Sequence, residues 1–356
     1  MRRLSALGSR LSATTTAFWV LSGGGWVTAA GSSPITHHSP PTTFSIQRAP
    51  ATYLLVIAGA GGEPRYTAEF HAAATAIADA ARTRFGVPAA NVVYLGEDAA
   101  PGPTRPDGKA TRDGVQGALA RIAAAAQPND DVWIVLVGHG SGQGEQSRFN
   151  LVGPDMTAAD FRRALVPLTR QRVAFVNAAS ASGDFARVLA APKRAVVTST
   201  KSALERNETT FATHFAAALS APVADTDKDG GVSLLEAFTY ARREVARAYE
   251  QDNRLLTEHA QLDDDGDGVG TAQPGAGAKD GALASTIALR GGSRAAQSDP
   301  KVAQLAAERA ELEAQVAALR ARKDSMAPAD YERELERLLV ELARTGRAIR
   351  AAEASP

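Results

Sequence analysis

Two apolar runs, each stopped by a polar turn containing glycine, constrain this chain most. The first is Val132–Gly140 (VWIVLVGHG) and the second is Arg172–Gly183 (RVAFVNAASASG). A continuous run rich in β-branched residues is the pattern of a strand buried on both faces, as in a parallel sheet. If these strands are neighbours, His139-Gly140 and Ser180-Ala181-Ser182-Gly183 leave the sheet at one carboxyl edge, where α/β folds bind ligands. An imidazole and a hydroxyl then face each other across a crevice.

Shorter runs repeat the pattern at Tyr53–Ala58, Asn91–Leu95 and Arg194–Thr200. Between them lie helical stretches: Thr67–Arg84, a segment from Thr111 to Ala126, one from Thr157 to about Leu168, Asp184–Ala190 and Asn207–Leu219. Thr111 and the Thr157–Asp160 pair are N-capping signals. This alternation predicts a parallel sheet with right-handed crossovers. Gly59, Gly61 and Gly62 do not fit a nucleotide-binding spacing. His71 and His214 read as helix-face residues, Ser141–Gln146 as a mobile rim beside His139, and Ser285–Leu289 as a short returning strand.

A strand ending in His-Gly, then a strand ending in Ser180-Ala181-Ser182-Gly183, resembles the legumain-type cysteine peptidases and their bacterial relatives. In that family the second motif is Cys-x-Ser-Gly. The resemblance covers about residues 52–265. It implies a caspase-like three-layer α/β sandwich with a mainly parallel sheet, assigned here to residues 52–270. It implies His139 as acid or base, Ser180 at the nucleophile position, and the N–H groups of Gly140 and Ser180 as the oxyanion hole. Asp184 is a candidate to orient His139 only by its nearness in sequence. The loop after the next strand, with Lys201, Ser202 and Glu205, should help form the substrate pocket. The chain contains no cysteine. Disulfides, thiolate metal sites and thiol catalysis are therefore excluded. A serine hydroxyl is not ionised near neutral pH and needs an aligned base to attack a carbonyl.

A different motif follows. Asp225, Asp227, Asp229, Gly230, Gly231, Ser233 and Glu236 fill the calcium-loop template at positions 1, 3, 5, 6, 7, 9 and 12. Alternating carboxylates and a terminal glutamate suit a hard cation, so calcium is the expected cofactor. Ser233 and Glu236 also form a capping-box pattern. Asp263, Asp265, Asp267 and Gly268 make a partial copy with Pro274 at position 12, open to a weaker cation held with Glu258 or water, or to an acidic turn.

Lysine plus arginine equals aspartate plus glutamate at 39 each in the 356 residues, so nothing points to nucleic acid. Met1-Arg2-Arg3, the apolar Ala17–Leu21 and the small residues to Ala30 form an export-signal pattern over 1–30. With residues 31–51 as linker, the expectation is an exported bacterial protein, periplasmic or extracellular, without a membrane span in the mature chain. Residues 271–299 read as a flexible linker. In 300–352, Leu305, Leu312 and Leu319, then Leu335, Leu342 and Ile349, repeat at heptad spacing around Pro328. That is a helical hairpin or coiled coil, open to self-association or a protein partner.

Three functional readings stand at this point. One is a catalytically degenerate peptidase-family protein that keeps a peptide-binding cleft. The second is an active serine variant using His139 and Ser180. The third is a calcium-binding interaction module acting through its C-terminal helices.

Overall fold

The computed structural model describes residues 50–98, 104–143, 146–228, 230–275, 278–290 and 300–353. The expected leader and residues 31–49 of the linker lie outside them. The strands are β1 (Thr52–Ala58), β2 (Val92–Gly96), β3 (Gly108–Lys109), β4 (Asp131–Val137), β5 (Gly140–Gln143), β6 (Gln146–Phe149), β7 (Met156–Thr157), β8 (Arg172–Asn177), β9 (Arg194–Thr198), β10 (Val232–Ser233), β11 (Gln261–Asp263) and β12 (Ala288–Leu289). The helices are α1 (Pro64–Asp79), α2 (Arg112–Ala125), α3 (Ala158–Ala164), α4 (Asp184–Leu189), α5 (Phe211–Ser220), α6 (Leu234–Gln251), α7 (Pro300–Ala321) and α8 (Pro328–Glu353).

The main sheet has the order β11-β9-β8-β4-β1-β2-β3, parallel except for β11. Its two faces carry separate apolar cores. Trp133, Val135 and Val137 of β4 pack with α1, α5 and α6. Val132, Ile134 and Leu136 pack with α2, α3 and α4 on the other side. The fold is therefore a three-layer α/β sandwich, as expected. Burying both faces explains the unbroken apolar runs, since each such side chain contributes about 1.5–3 kcal/mol when fully buried. The sheet order reverses between β1 and β4, because β2 lies beyond β1 and β8 beyond β4. The ends of β1 and β4 thus mark the switch point of the sheet, and Phe149 and Asn150 pack against it: a Cβ on Gly59 would stand 2.3 Å from the Asn150 carbonyl oxygen.

The alignment of β4 with β8 is fixed at its start by charge. Asp131 is paired with Arg172, and the guanidinium donates from Nε to Oδ1 at 2.7 Å and from Nη2 to Oδ2 at 2.9 Å. The ladder then runs to Leu136 opposite Asn177, which sets the turns beyond it side by side.

Three expectations are corrected. Ser141–Gln146 is not simply a mobile rim, because β5 pairs antiparallel with β6, and β6 with β7, in a small separate sheet. Residues 280–290 are packed into the domain and do not form a flexible linker. Ala284, Ile287 and Leu289 are buried in the α5/α6 core, and β12 pairs with β10. Glycine and alanine content hid a segment that is held by packing. Helix α5 starts at Phe211 rather than Asn207, because a distant carboxylate caps it. Glu258 accepts from Thr210 N–H at 3.0 Å, Thr210 Oγ–H at 2.7 Å and Phe211 N–H at 3.2 Å. Glu258 is thereby committed to a helix N-terminus, where negative charge is favoured, and not to the partial cation loop.

Four of the heptad residues, Leu312, Leu319, Leu335 and Leu342, contribute to the contact between the two helices of the hairpin. Leu312, Val316, Leu319 and Leu338 form its core, with Met326, Tyr331, Leu335 and Leu342 against them. Arg290, just past β12, ties the hairpin to the domain by donating to Glu313 at 2.7 Å. No helix of the described residues is long and apolar enough to cross a membrane.

Replacing Arg172 by alanine leaves the buried Asp131 carboxylate without its partner. We expect a loss of about 2–4 kcal/mol, allowing for the partial exposure of the arginine. The shift in urea midpoint measures it, and the Asp131→Asn/Arg172→Ala double variant should recover part of the loss.

Candidate functional site

The turns after β4 and β8 meet as the sequence predicts. Ser180 is buried, and its Oγ donates to the carbonyl of Gly140 at 3.1 Å and accepts from the Gly140 N–H at 3.3 Å. Among the described residues, the N–H of Ser180 itself has no hydrogen-bond partner. The two N–H groups implied as oxyanion donors therefore flank the hydroxyl, although that of Gly140 already serves it.

Glycine at 140 is a steric requirement. A Cβ there would stand 2.0 Å from the Ser180 carbonyl oxygen. Gly183 is held the same way, with a Cβ 2.2 Å from the N of Ser202. The motif glycines let three backbone segments lie on one another. Ala181 between them has φ 51°, a left-handed conformation that alanine adopts only under local constraint. Its N–H donates to the Glu205 carbonyl at 2.7 Å, which closes the loop after β9 over the Ser180 turn.

A buried hydroxyl cluster locks that closure. Thr200 Oγ1 accepts from Ser182 N–H at 2.8 Å and Gly183 N–H at 3.1 Å. Ser182 Oγ accepts from Thr200 N–H at 3.2 Å, and Ser199 Oγ donates to the Ala179 carbonyl at 2.6 Å. Ser182 of the motif is therefore a structural residue.

His139 follows β4 and is half-buried. Its ring stands edge-to-face against Tyr66 at 4.5 Å and Phe70 at 4.9 Å between centroids, both from α1. Among the described residues, neither ring nitrogen makes a hydrogen bond, to Ser180 or to a carboxylate. Asp184 does not orient it. That residue starts α4, and its Oδ2 is buried without a hydrogen bond. Tyr66 donates to Glu208 at 3.0 Å, and this bond raises the phenol above its ordinary pKa. His71 is not merely on a helix face. It is buried against Tyr94, with Nδ1 2.8 Å from the hydroxyl, and burial lowers its pKa.

Sequence reading missed a histidine–carboxylate pair on this edge. Glu205 Oε1 lies 2.6 Å from Nδ1 of His259, while Oε2 accepts from Lys201 N–H at 3.0 Å and His259 N–H at 3.3 Å. His259 precedes β11, which runs antiparallel to β9 with Gln261 opposite Thr198. That reversal brings His259 to the carboxyl edge. Only the pairing of an edge strand reveals this, and three residues of apparent strand carried no signal of its direction.

Both acidic loops gather their carboxylates. Oxygens of Asp225, Asp227 and Glu236 lie within 4.8 Å of one another. Gly230 has φ 87°, and its N–H donates to Asp225 at 3.1 Å. Asp229 lies outside the described residues. Ser233 and Glu236 do form the capping box. Glu236 Oε2 accepts from Ser233 N–H at 2.9 Å and Oγ–H at 2.8 Å, and Oε1 accepts from Thr226 N–H at 2.8 Å. The Ser233 hydroxyl is thus engaged with the helix start. Gly231 lies in the turn that leads from Gly230 into β10.

No family model matches this chain, and no curated protein matches it. Among solved structures, the Drosophila initiator caspase Dronc matches with a TM-score of 0.42 and 10% identity, over 60% of this chain and 79% of that one.

Gly140→Ala should destabilise the protein by at least about 2–3 kcal/mol, because the clash is with backbone and no side chain can move to relieve it. Ser180→Ala should cost about 1 kcal/mol, the net value of the lost hydrogen bonds. Thermal unfolding of both variants beside the unaltered chain measures the difference.

Proposed function

We propose that this chain is an exported, caspase-fold member of the legumain-type peptidase group that binds a peptide segment without cleaving it efficiently. The observation that carries the reading is the Ser180 hydroxyl, both of whose hydrogen bonds go to the backbone of Gly140. A serine nucleophile requires an imidazole that accepts its proton and a third group that orients the imidazole. His139 contacts two aromatic rings instead.

Peptide binding is supported by the place of the Ser180 turn on the sheet. The Ser180 turn stands at the carboxyl edge, one strand from the β1/β4 reversal, with its N–H unpartnered among the described residues and the Lys201–Glu205 loop beside it. An extended peptide carbonyl fits such a donor. The loop 225–236 binds calcium and secures the start of α6 against β12. Alternate carboxylates with glycine in the left-handed conformation at position 6 support this.

Peptide turnover tests the catalytic reading. The unaltered chain should not release fluorophore from a panel of fluorogenic peptides, with or without calcium. Ser180→Cys should gain cleavage, and Ser180→Cys/His139→Ala should lose it again. Turnover by the unaltered chain that disappears in His139→Ala would establish the serine variant instead.

Calcium binding is read by melting. After stripping with chelator, calcium at about 100 times its Kd should stabilise the fold by about 2.7 kcal/mol per site. Asp225→Asn/Asp227→Asn should remove that part of the rise in Tm that belongs to this loop.

A further inference from the structure

The second acidic loop differs from the first in how it is anchored. Asp263 is the last residue of β11, paired with Val196 of β9, and is 1% exposed. Because β11 runs antiparallel to β9, the loop after Asp263 lies toward the amino edge of the sheet, away from His139 and Ser180. Gly266 and Gly268 both have positive φ, 81° and 78°, and turn the chain sharply there.

The fold disposes of neighbouring carboxylates. Asp264 accepts from Gly281 N–H at 2.8 Å and Ala284 N–H at 2.7 Å. Asp280 accepts from Asp264 N–H at 3.0 Å. Asp263 is treated otherwise. Its Oδ1 accepts from Gly266 N–H at 3.1 Å, but Oδ2 is buried and takes no hydrogen bond among the described residues. Its carboxylate and those of Asp265 and Asp267 have oxygens within 4.8 Å of one another. An unsatisfied buried carboxylate oxygen costs more than an unsatisfied neutral group. Here it lies among two further acids, which would make the position worse unless a cation were shared.

We infer that Asp263, Asp265 and Asp267 bind a second calcium ion, independent of the loop at 225–236. The donor set is all oxygen and carboxylate-rich, the preference of a hard cation. Asp263 supplies the buried ligand, Asp265 and Asp267 the outer ones, and water completes the shell in place of the glutamate that Pro274 cannot replace. Lys279 Nζ stands 3.5 Å from Asp267 Oδ2 and moves outward when the ion enters. The ion steadies the turn that leaves β11, in which Asp264 is hydrogen-bonded to Asp280, Gly281 and Ala284, so its role is structural.

Isothermal titration of chelator-stripped full chain with calcium chloride tests this. The unaltered chain should bind two ions. Asp225→Asn/Asp227→Asn should bind one, and Asp265→Asn/Asp267→Asn, which alters only exposed side chains, should also bind one. Circular dichroism of each variant should match the unaltered chain. Unchanged stoichiometry in Asp265→Asn/Asp267→Asn would overturn the inference, as would complete loss of binding in Asp225→Asn/Asp227→Asn. A single ion lost only on changing Asp265 and Asp267 would support this site while removing the one at 225–236.

Discussion

The parallel register of β4 with β8 governs what the rest of the molecule presents. It is pinned at one end by the Asp131–Arg172 ion pair and filled on both faces by apolar side chains. A slip of one residue would carry the Ser180 turn out of reach of Gly140. With the register fixed, the two turns pack so closely that a single added carbon at 140 meets a carbonyl oxygen. The motif glycines are therefore answers to crowding at the crevice, and the chemistry of the crevice is built on top of that crowding.

The same closeness sets how the Ser180 hydroxyl is bonded. Ser180 sits where backbone donors converge, yet its hydroxyl is satisfied by Gly140. His139 is held by edge-to-face aromatic contacts, which fix a ring without polarising it. No carboxylate meets it among the described residues. An imidazole–carboxylate pair does form on this edge, His259 with Glu205, and that carboxylate also accepts from the Lys201 backbone. The edge thus holds a half-buried imidazole, a buried hydroxyl bonded to backbone, and a histidine–carboxylate pair.

Much of this was legible in the sequence. Buried strands announce themselves because both faces need apolar residues, so β1, β4, β8 and β9 stood out, and His139 and Ser180 with them. Caps at Thr111, Thr157 and Ser233 followed from local hydrogen-bonding chemistry. What escaped was set by long-range pairing. The direction of β11, the capping of α5 by Glu258, and the packing of Ala284 and Ile287 depend on residues dozens of positions away. Glycine and alanine in this stretch suggested freedom where, over 280–290, burial imposes order. The acidic run at 263–267 reads as a weaker copy of the first loop in sequence. In the fold it is the copy with a buried, unsatisfied oxygen.

Labelling with a fluorophosphonate probe, followed by intact-mass and peptide mass spectrometry, bears most directly on the central claim that Ser180 is not an activated nucleophile. The geometry predicts no adduct on Ser180 at neutral pH. Stoichiometric labelling of Ser180, abolished by His139→Ala, would contradict it.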